Sequence, residues 1–396
     1  MRLGAAIAAV GATLALAGVA VAQTPVVLWQ RPVELPSVER EMPADGSAFG
    51  VLRIEARPDG GVVIAAVEGR RGRVNSLEAL RIVAIDGAGK DLWTRRLAVP
   101  GGVNGHARMR AAAIDASEPS RTWIFQAWST REDIDEGASR LLALNHTGGM
   151  VAAVANGPRR FGGPGTVIAR MASKLTRLHD GSLLAIGSHS FGPPQWWYAR
   201  YDKAGKMMWE RGSKGFPDFT HDAWPLPDGG ASLLLMDAEE RRERPALRRI
   251  SADGRKLEQH DIVGVDDGVG CAKPIGPQTH VRAVEDVDYR ANHVRKSEIV
   301  WHEIGRGITR RIDTGGLRCS TIERAGSAAV YVSYAAEPND KRTVIALLPT
   351  GGVRWRVELA GSIDIASLAD GGALVLREIE DKGKPPRLVL TRYAAP

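Results

Sequence analysis

The sequence predicts an all-β fold, a single β-propeller of seven four-stranded blades, from three observations. Two kinds of hairpin turn recur along the chain, they recur at a spacing of roughly 50 residues, and the two ends of the chain match complementary parts of one unit. Apolar residues make up 44% and charged residues 25%, which is typical of a chain with a packed core and excludes a disordered protein.

The first recurring turn places Asp and Gly between two apolar runs. It occurs at Asp59, Asp180, Asp228 and Asp370. Asp-Gly between apolar segments is a strong hairpin signal. A second Gly turn follows later in each unit, at Gly89, Gly148, Gly205, Gly254, Gly305 and Gly351. Two hairpins give each unit four strands.

The chain ends predict how the ring closes. The last unit stops before its outer strand, whereas residues 28–36 (LWQRPVELP) match the outer strand at 92–100 (LWTRRLAVP). We therefore expect the N-terminal strand to complete the last blade and to remove the open sheet edge.

Residues 1–22 have the pattern of a secretory signal: one Arg, an Ala- and Leu-rich stretch, and Ala20-Val21-Ala22 as a cleavage site. A retained N-terminal anchor is the alternative. We predict a signal peptide at 1–22 and one propeller domain at 23–396. The mature protein is then exported, soluble in the periplasm or outside the cell, without stable membrane insertion after cleavage.

The segments AIDGAGKDLW and RYDKAGKMMW resemble the repeats of quinoprotein-like (PQQ-type) β-propellers, over nearly the whole mature chain. The quinoprotein dehydrogenases of that class have eight blades and adjacent cysteines under the cofactor. Because this chain has no Cys-Cys pair, we predict no cofactor. Non-catalytic relatives include a periplasmic scaffold lipoprotein of outer-membrane assembly, whose lipobox is missing here.

Tryptophan and cysteine positions follow the repeat. Trp29, Trp93, Trp209 and Trp355 share one position in the outer strand, where we expect them to fill the wedge between blades. For the Trp196-Trp197 pair we expect one ring to face solvent or a ligand. Cys271 and Cys319 would lie on innermost strands of adjacent blades. An oxidising compartment favours a disulfide between them, and two thiols or a metal or catalytic role are the alternatives.

Several polar residues are expected to converge on the central channel from the innermost strands and their loops. They are Arg53, His106, Arg110, Lys174, His221, Asp222, Arg318 and Asp364. Arg53, Lys174, Asp222 and Asp364 each precede an Asp-Gly turn by the same interval. Their mixed charges favour a salt-bridged funnel, and a basic funnel for an anionic ligand is the alternative. His106 and His221 with Asp222 could form a metal site or an acid–base pair, but we predict no metal.

The chain has a net charge of +7 with its basic runs interleaved with acids, so we expect no nucleic-acid partner. Sequence motifs for a nucleophile, a zinc site or a phosphate loop are missing. We therefore favour an exported, non-catalytic propeller that binds a protein partner or cell-envelope component on its loop face. The alternative is a propeller enzyme or small-ligand binder acting on an anionic or sugar-like ligand in the channel.

Overall fold

A computed structural model describes most of the chain. The described residues are 24–34, 52–69, 77–99, 108–129, 137–156, 159–160, 167–168, 170–189, 195–214, 222–237, 244–261, 269–288, 293–325, 329–335, 342–348, 352–379 and 387–395. The predicted signal peptide, His106 and His221 lie outside these residues.

Thirty strands occur in the described part of the chain, and twenty-eight of them form seven antiparallel four-stranded sheets. We number the sheets as blades and give the strands from the innermost outwards. Blades 1 to 3 are β2 (Leu52–Ala56), β3 (Val62–Gly69), β4 (Leu77–Ile85) and β5 (Asp91–Ala98); β6 (Arg108–Glu118), β7 (Arg121–Ser129), β8 (Gly137–Asn145) and β9 (Met150–Asn156); β12 (Arg170–Arg177), β13 (Leu183–His189), β14 (Gln195–Tyr201) and β15 (Met207–Lys214).

Blades 4 to 7 follow the same order. They are β16 (Asp222–Pro225), β17 (Ala231–Asp237), β18 (Arg244–Ile250) and β19 (Lys256–Asp261); β20 (Val269–Pro274), β21 (Thr279–Asp288), β22 (His293–Glu303) and β23 (Gly307–Asp313); β24 (Arg318–Ala325), β25 (Ala329–Ala335), β26 (Arg342–Leu347) and β27 (Val353–Leu359); β28 (Ser362–Ser367), β29 (Ala373–Ile379), β30 (Arg387–Tyr393) and β1 (Val27–Val33).

The innermost strands form a closed ring. In the order β2, β6, β12, β16, β20, β24 and β28, each contacts the next, and β28 contacts β2. The fold is therefore a β-propeller. The ends of the chain meet in blade 7, where β1 pairs antiparallel with β30 from Val27↔Tyr393 to Val33↔Leu388. This pairing covers the edge that β30 would otherwise expose.

The predicted fold class, built from four-stranded blades alone, needs correction. Arg159–Arg160 (β10) pairs antiparallel with Val167–Ile168 (β11) in a separate two-stranded sheet between blades 2 and 3. The stretch around these strands is rich in Gly and Pro, which predicts irregular loop from sequence. A strand of two residues is too short for an alternating pattern to reveal it.

The first turn of blade 1 shows why Asp and Gly recur at this position in four blades. In blade 1, Gly60 has a φ of 77°, a conformation that residues with a Cβ rarely adopt. Gly61 donates its N–H to Asp59 Oδ1 at 3.0 Å, so the carboxylate fixes the turn. A Cβ on Gly61 would lie 2.1 Å from the Ile85 carbonyl oxygen, so this position has no room for a side chain.

Outer-strand tryptophans pack between neighbouring blades, as predicted. Trp93 of blade 1 is 7% exposed and lies against Gly148 in the outer turn of blade 2, where a Cβ would be 2.8 Å from the ring. Trp29 and Trp209 pack in the same way on Gly89 and Gly254. The rings fill the widening space between neighbouring sheets, and Gly89, Gly148 and Gly254 leave room for them.

Candidate functional site

Charged side chains from the innermost strands of six blades act on one another inside the ring. We call them the channel cluster: Arg53 and Glu55 (blade 1), Lys174 (blade 3), Asp222 (blade 4), Lys273 (blade 5), Glu323 (blade 6) and Asp364 (blade 7). Lys174 Nζ lies 3.3 Å from Glu55 Oε2, although blade 2 separates their two blades. This contact requires both side chains to point into the enclosed space.

The strand register explains why four of these residues converge. Arg53, Lys174, Asp222 and Asp364 each pair with the fourth residue of the following strand, namely Ala65, Ile186, Leu234 and Leu376. The first turn fixes this register, so each residue occupies an equivalent place on its innermost strand. The interval counted from the Asp-Gly turn therefore predicts a real structural equivalence.

Lys273 joins two carboxylates from the blades on either side of it. Its Nζ lies 3.1 Å from Asp222 Oδ2 and 2.5 Å from Glu323 Oε2. Burial opposes the charged form of both Lys273 and Asp222, but their mutual attraction prevails. The pKa of Lys273 is therefore raised above its ordinary value, and that of Asp222 is lowered by Lys273 and Lys174.

Glu55 and Lys174 form a second ion pair with a different balance. Although 31% of the Glu55 side chain is exposed, the surrounding channel wall desolvates the carboxyl and raises its pKa to about 7, against the attraction of Lys174. Burial also opposes the charge on Lys174, but the carboxylates of Glu55, Asp222 and Glu323 raise its pKa above the ordinary lysine value. A protonated Glu55 is thus accessible near neutral pH.

Asp364 is the second carboxyl that titrates close to neutrality. Desolvation raises its pKa to about 6, the Arg53 charge opposes the shift, and the Glu323 charge adds to it. The Asp364 Oδ1 atom accepts a hydrogen bond from the Ile365 N–H at 3.0 Å. Among the described residues, the cluster therefore combines three cations with four carboxyls, two of which can carry a proton.

The cluster is consistent with the salt-bridged funnel and not with the basic one. Because each lysine faces at least one carboxylate, the cations compensate acids of the same ring instead of leaving a net positive field. Lysine ammonium groups donate hydrogen bonds, carboxylates accept them, and a protonated carboxyl does both. Within the described residues, the channel cluster thus offers closely spaced donors and acceptors whose charges largely compensate one another.

The other predicted site residues do not join this cluster in the described structure. His106 and His221 lie outside the described residues, and Arg110 lies on β6 with a side chain that is not described. Arg318 is 58% exposed, and its Nε lies 3.9 Å from Glu285 Oε2 of blade 5. Trp197 is fully buried against Phe125, with ring centroids 5.7 Å apart, so it does not face a ligand; the Trp196 side chain is not described.

Sequence reasoning missed Glu55 and Glu323. Glu55 lies two residues after Arg53 on the same strand, and because side chains alternate with a period of two, both belong on one side of it. The alternation in this strand therefore predicts that Glu55 faces the channel together with Arg53. Glu323 precedes a turn without the Asp-Gly pair, so counting back from such turns could not find it.

A disulfide lies beside the cluster. Cys271 of β20 and Cys319 of β24 are bonded, with Cα atoms 5.9 Å apart, and both are buried. These two strands carry Lys273 and Glu323. The bond therefore ties together the two innermost strands whose side chains form the shortest ion pair of the cluster.

No protein-family model matches the chain, and no curated protein sequence does. Solved structures do match. An acylaminoacyl peptidase bound to a chloromethyl ketone has a TM-score of 0.54 at 11% identity over 86% of this chain and 51% of its own. The acylaminoacyl peptidase of Pyrococcus horikoshii has a TM-score of 0.52 at 13% identity over 87% of this chain and 52% of its own. The polysaccharide lyase Uly1 has a TM-score of 0.50 at 11% identity over 86% and 89%.

These likenesses show the propeller fold and nothing finer, because one fold hosts many activities. The chain spans about half the length of the two peptidases. Among the described residues, no group of three or more His, Cys, Asp or Glu side chains is arranged to hold a metal ion. The same residues include no helix of the length and apolarity needed to cross a membrane.

The two raised carboxyl pKa values give a direct test of the cluster. In a carbon-13 NMR titration of side-chain carboxyls, we expect one Glu with a midpoint near pH 7 and one Asp near pH 6. Glu55→Gln should remove the first transition. Glu298→Gln should leave both in place, because Glu298 lies outside the channel and pairs with Lys296 and Arg311.

The same shift has a consequence for stability. Because folding raises the pKa of Glu55 from 4.5 to about 7, the stability that this group contributes is full below about pH 4.5 and is lost as the pH rises to 7. Glu55→Gln should therefore make the free energy of unfolding fall less steeply across this window than in the unsubstituted protein. Equal slopes, together with an unchanged NMR titration, would show that Glu55 is not desolvated.

Proposed function

We propose that the protein is an exported binding protein that holds a small, polar, uncharged ligand of the sugar class in its central channel. The channel cluster carries this proposal. Its donors and acceptors come from six blades and balance one another in charge, which suits hydroxyl groups and offers little to a net anion. A cell-envelope glycan is a ligand of this chemistry.

Export is the second part of the proposal. The Cys271–Cys319 disulfide supports an oxidising compartment, because such bonds are rare in a reducing cytosol. The sequence of residues 1–22, with its apolar stretch and Ala20-Val21-Ala22, supports secretion. Both agree with a ligand outside the cytoplasm.

Binding without catalysis is the third part. Asp222 and Glu323 lie 3.1 and 2.5 Å from Lys273 Nζ, and Lys273 lowers the pKa of Asp222, so ion pairs hold this part of the cluster. Glu55, whose pKa is about 7, is proposed to donate a hydrogen bond to the ligand and not to transfer its proton. A protein partner on the loop face remains compatible with this role, because the loops and the channel are separate surfaces of a propeller.

Isothermal titration calorimetry with a defined panel tests the proposal. The panel holds neutral oligosaccharides of glucose and N-acetylglucosamine, the anions glucuronate and N-acetylneuraminate, and the zwitterion dialanine. We expect a neutral saccharide to bind, with at least a tenfold weaker affinity in Glu55→Gln and in Glu323→Gln. Glu298→Gln is the matched control outside the channel and should bind as the unsubstituted protein does.

Three results would overturn parts of this proposal. Tighter binding of an anion or of dialanine than of any neutral saccharide would show that the proposed ligand class is wrong. Equal affinities for Glu55→Gln, Glu323→Gln and Glu298→Gln would place the ligand elsewhere. Cleavage of the saccharide, detected by chromatography of the incubated mixture, would show that the protein is an enzyme.

A further inference from the structure

Three cationic or cation-forming side chains are buried together between blades 4 and 5. Arg282 and His280 are 0% exposed and His302 is 9% exposed. His280 on β21 and His302 on β22 are directly opposite in the sheet register, and their ring centroids lie 4.9 Å apart. We call these residues the inter-blade cluster.

The strand alternation shows which way this cluster faces. Val281 and Ala283 on β21 pack with Cys319 and other residues of blade 6. His280 and Arg282 alternate with them, so they point to the opposite side of the sheet, towards blade 4. The apolar contact there is small, with only Leu234, Leu247 and Ala272 as buried members in the described residues.

Six of the seven side-chain nitrogens of the inter-blade cluster lack partners. Arg282 Nε, Nη1 and Nη2, both ring nitrogens of His280, and His302 Nδ1 are buried without a hydrogen bond. A buried, unpaired guanidinium is among the costliest groups a fold can contain. Buried donors normally find a partner, so six orphaned nitrogens in one place indicate a missing binding partner.

No carboxylate of the described residues compensates these charges. The groups whose charges act on the cluster are Arg282, His302 and Arg311, and all of them favour loss of a proton. Burial, His302 and Arg282 together lower the pKa of His280 to about 3, and burial with Arg311 lowers that of Arg282 to about 10.

Three acids of the surrounding strands are engaged elsewhere. On β22, Glu298 pairs with Lys296 and Arg311. On the facing sheet, Glu258 lies near Arg249 and His260, and Asp228 pairs with Arg249. The cluster therefore has donors and positive charge, and no acid of the described residues is among the charges that act on it.

We propose that a small inorganic anion of about the size of chloride binds between blades 4 and 5, held by the Arg282 guanidinium with His280 and His302 as further donors. Such an anion would satisfy the orphaned N–H groups and offset the buried charge. Because Arg282 and His280 have no exposed surface, the side chains around them must move apart to admit an ion, and a monatomic anion such as chloride requires less movement than phosphate, sulfate or an organic acid. The site is structural and separate from the channel cluster.

Chemical unfolding at constant ionic strength tests this site, with sodium chloride exchanged stepwise for sodium gluconate. An anion bound only by the folded state raises the folding equilibrium constant in proportion to its concentration once it exceeds the Kd. We expect each tenfold rise in chloride above the Kd to raise that constant about tenfold. Phosphate and sulfate should have much weaker effects at matched ionic strength.

Arg282→Met should abolish the chloride dependence, and Arg306→Met should keep it. Arg306 is the control because it lies on the same blade, is 74% exposed and contacts Glu303. If Arg282→Met does not fold, His280→Gln should still reduce the chloride dependence. Crystals soaked in sodium bromide should show an anomalous peak within hydrogen-bonding distance of the Arg282 guanidinium.

Two findings would overturn the proposal. One is a stability that does not depend on chloride in the unsubstituted protein, which would mean that the chain itself or water satisfies Arg282. The other is a bromide-soaked crystal without an anomalous peak at the inter-blade cluster. A stronger response to sulfate or phosphate than to chloride would replace the monatomic anion by an oxyanion and refute the size argument.

Discussion

Replacing Lys273 by methionine is expected to lower the free energy of unfolding by about 3 kcal/mol at pH 7. The substitution removes the cation that lies between Asp222 and Glu323, whose side chains are only 10% and 24% exposed. Two carboxylates would then remain close together in the channel without their shared partner. Urea unfolding followed by tryptophan fluorescence measures the loss.

The pH dependence of this loss identifies its cause. Without Lys273, the pKa of Asp222 should rise, because Lys273 is the main charge that lowers it, and the folded state should bind a proton that the unfolded state releases. The destabilisation should therefore be smaller at pH 4.5 than at pH 7. A loss that is the same at both pH values would indicate lost packing of the lysine stem instead of unpaired charge.

Lys296→Met is the matched control. Lys296 lies on the same blade and contacts Glu298, but its side chain is 60% exposed, so its removal should cost less than about 1 kcal/mol. The double variant Lys273→Met/Glu323→Gln should lose less stability than the sum of the two single variants. Additive losses would mean that the two side chains do not interact.

The channel cluster shows what repeat analysis can predict. The Asp-Gly turns fix the hairpin register, and the register fixes which residue of each innermost strand enters the channel. Arg53, Lys174, Asp222 and Asp364 could therefore be aligned from sequence alone. The ion pairs could not be predicted from sequence, because the Lys174–Glu55 contact joins blades that are not neighbours and depends on the curvature of the ring.

The inter-blade cluster shows where a sequence pattern misleads. In β21, polar His280 and Arg282 alternate with apolar Val281 and Ala283, which predicts a strand with one face in water. In a propeller both faces of a blade pack on neighbouring blades, so the polar face is buried too. Only the ring geometry reveals that Arg282 is enclosed, and only the contacts reveal that its donors are unpaired.

Removing the disulfide between Cys271 and Cys319 is expected to lower the stability of the protein strongly. The bond closes a loop with a sequence separation of 48, so in the chain-entropy view its loss costs roughly 4 kcal/mol. For a domain of this size that corresponds to a fall of about 5 °C in Tm. We expect this in the variant Cys271→Ala/Cys319→Ala, measured by differential scanning calorimetry.

Reduction distinguishes the effect of losing the disulfide from the effect of the two alanine substitutions. A reducing agent should lower the Tm of the unsubstituted protein by a similar amount and leave the double variant unchanged. Free thiols in the untreated folded protein, detected by alkylation and mass spectrometry after unfolding, would contradict the bonded state.

Because β20 and β24 carry Lys273 and Glu323, reduction should also weaken their ion pair. If the channel is the binding site, saccharide affinity should fall on reduction, whereas a site on the loop face alone would keep its affinity.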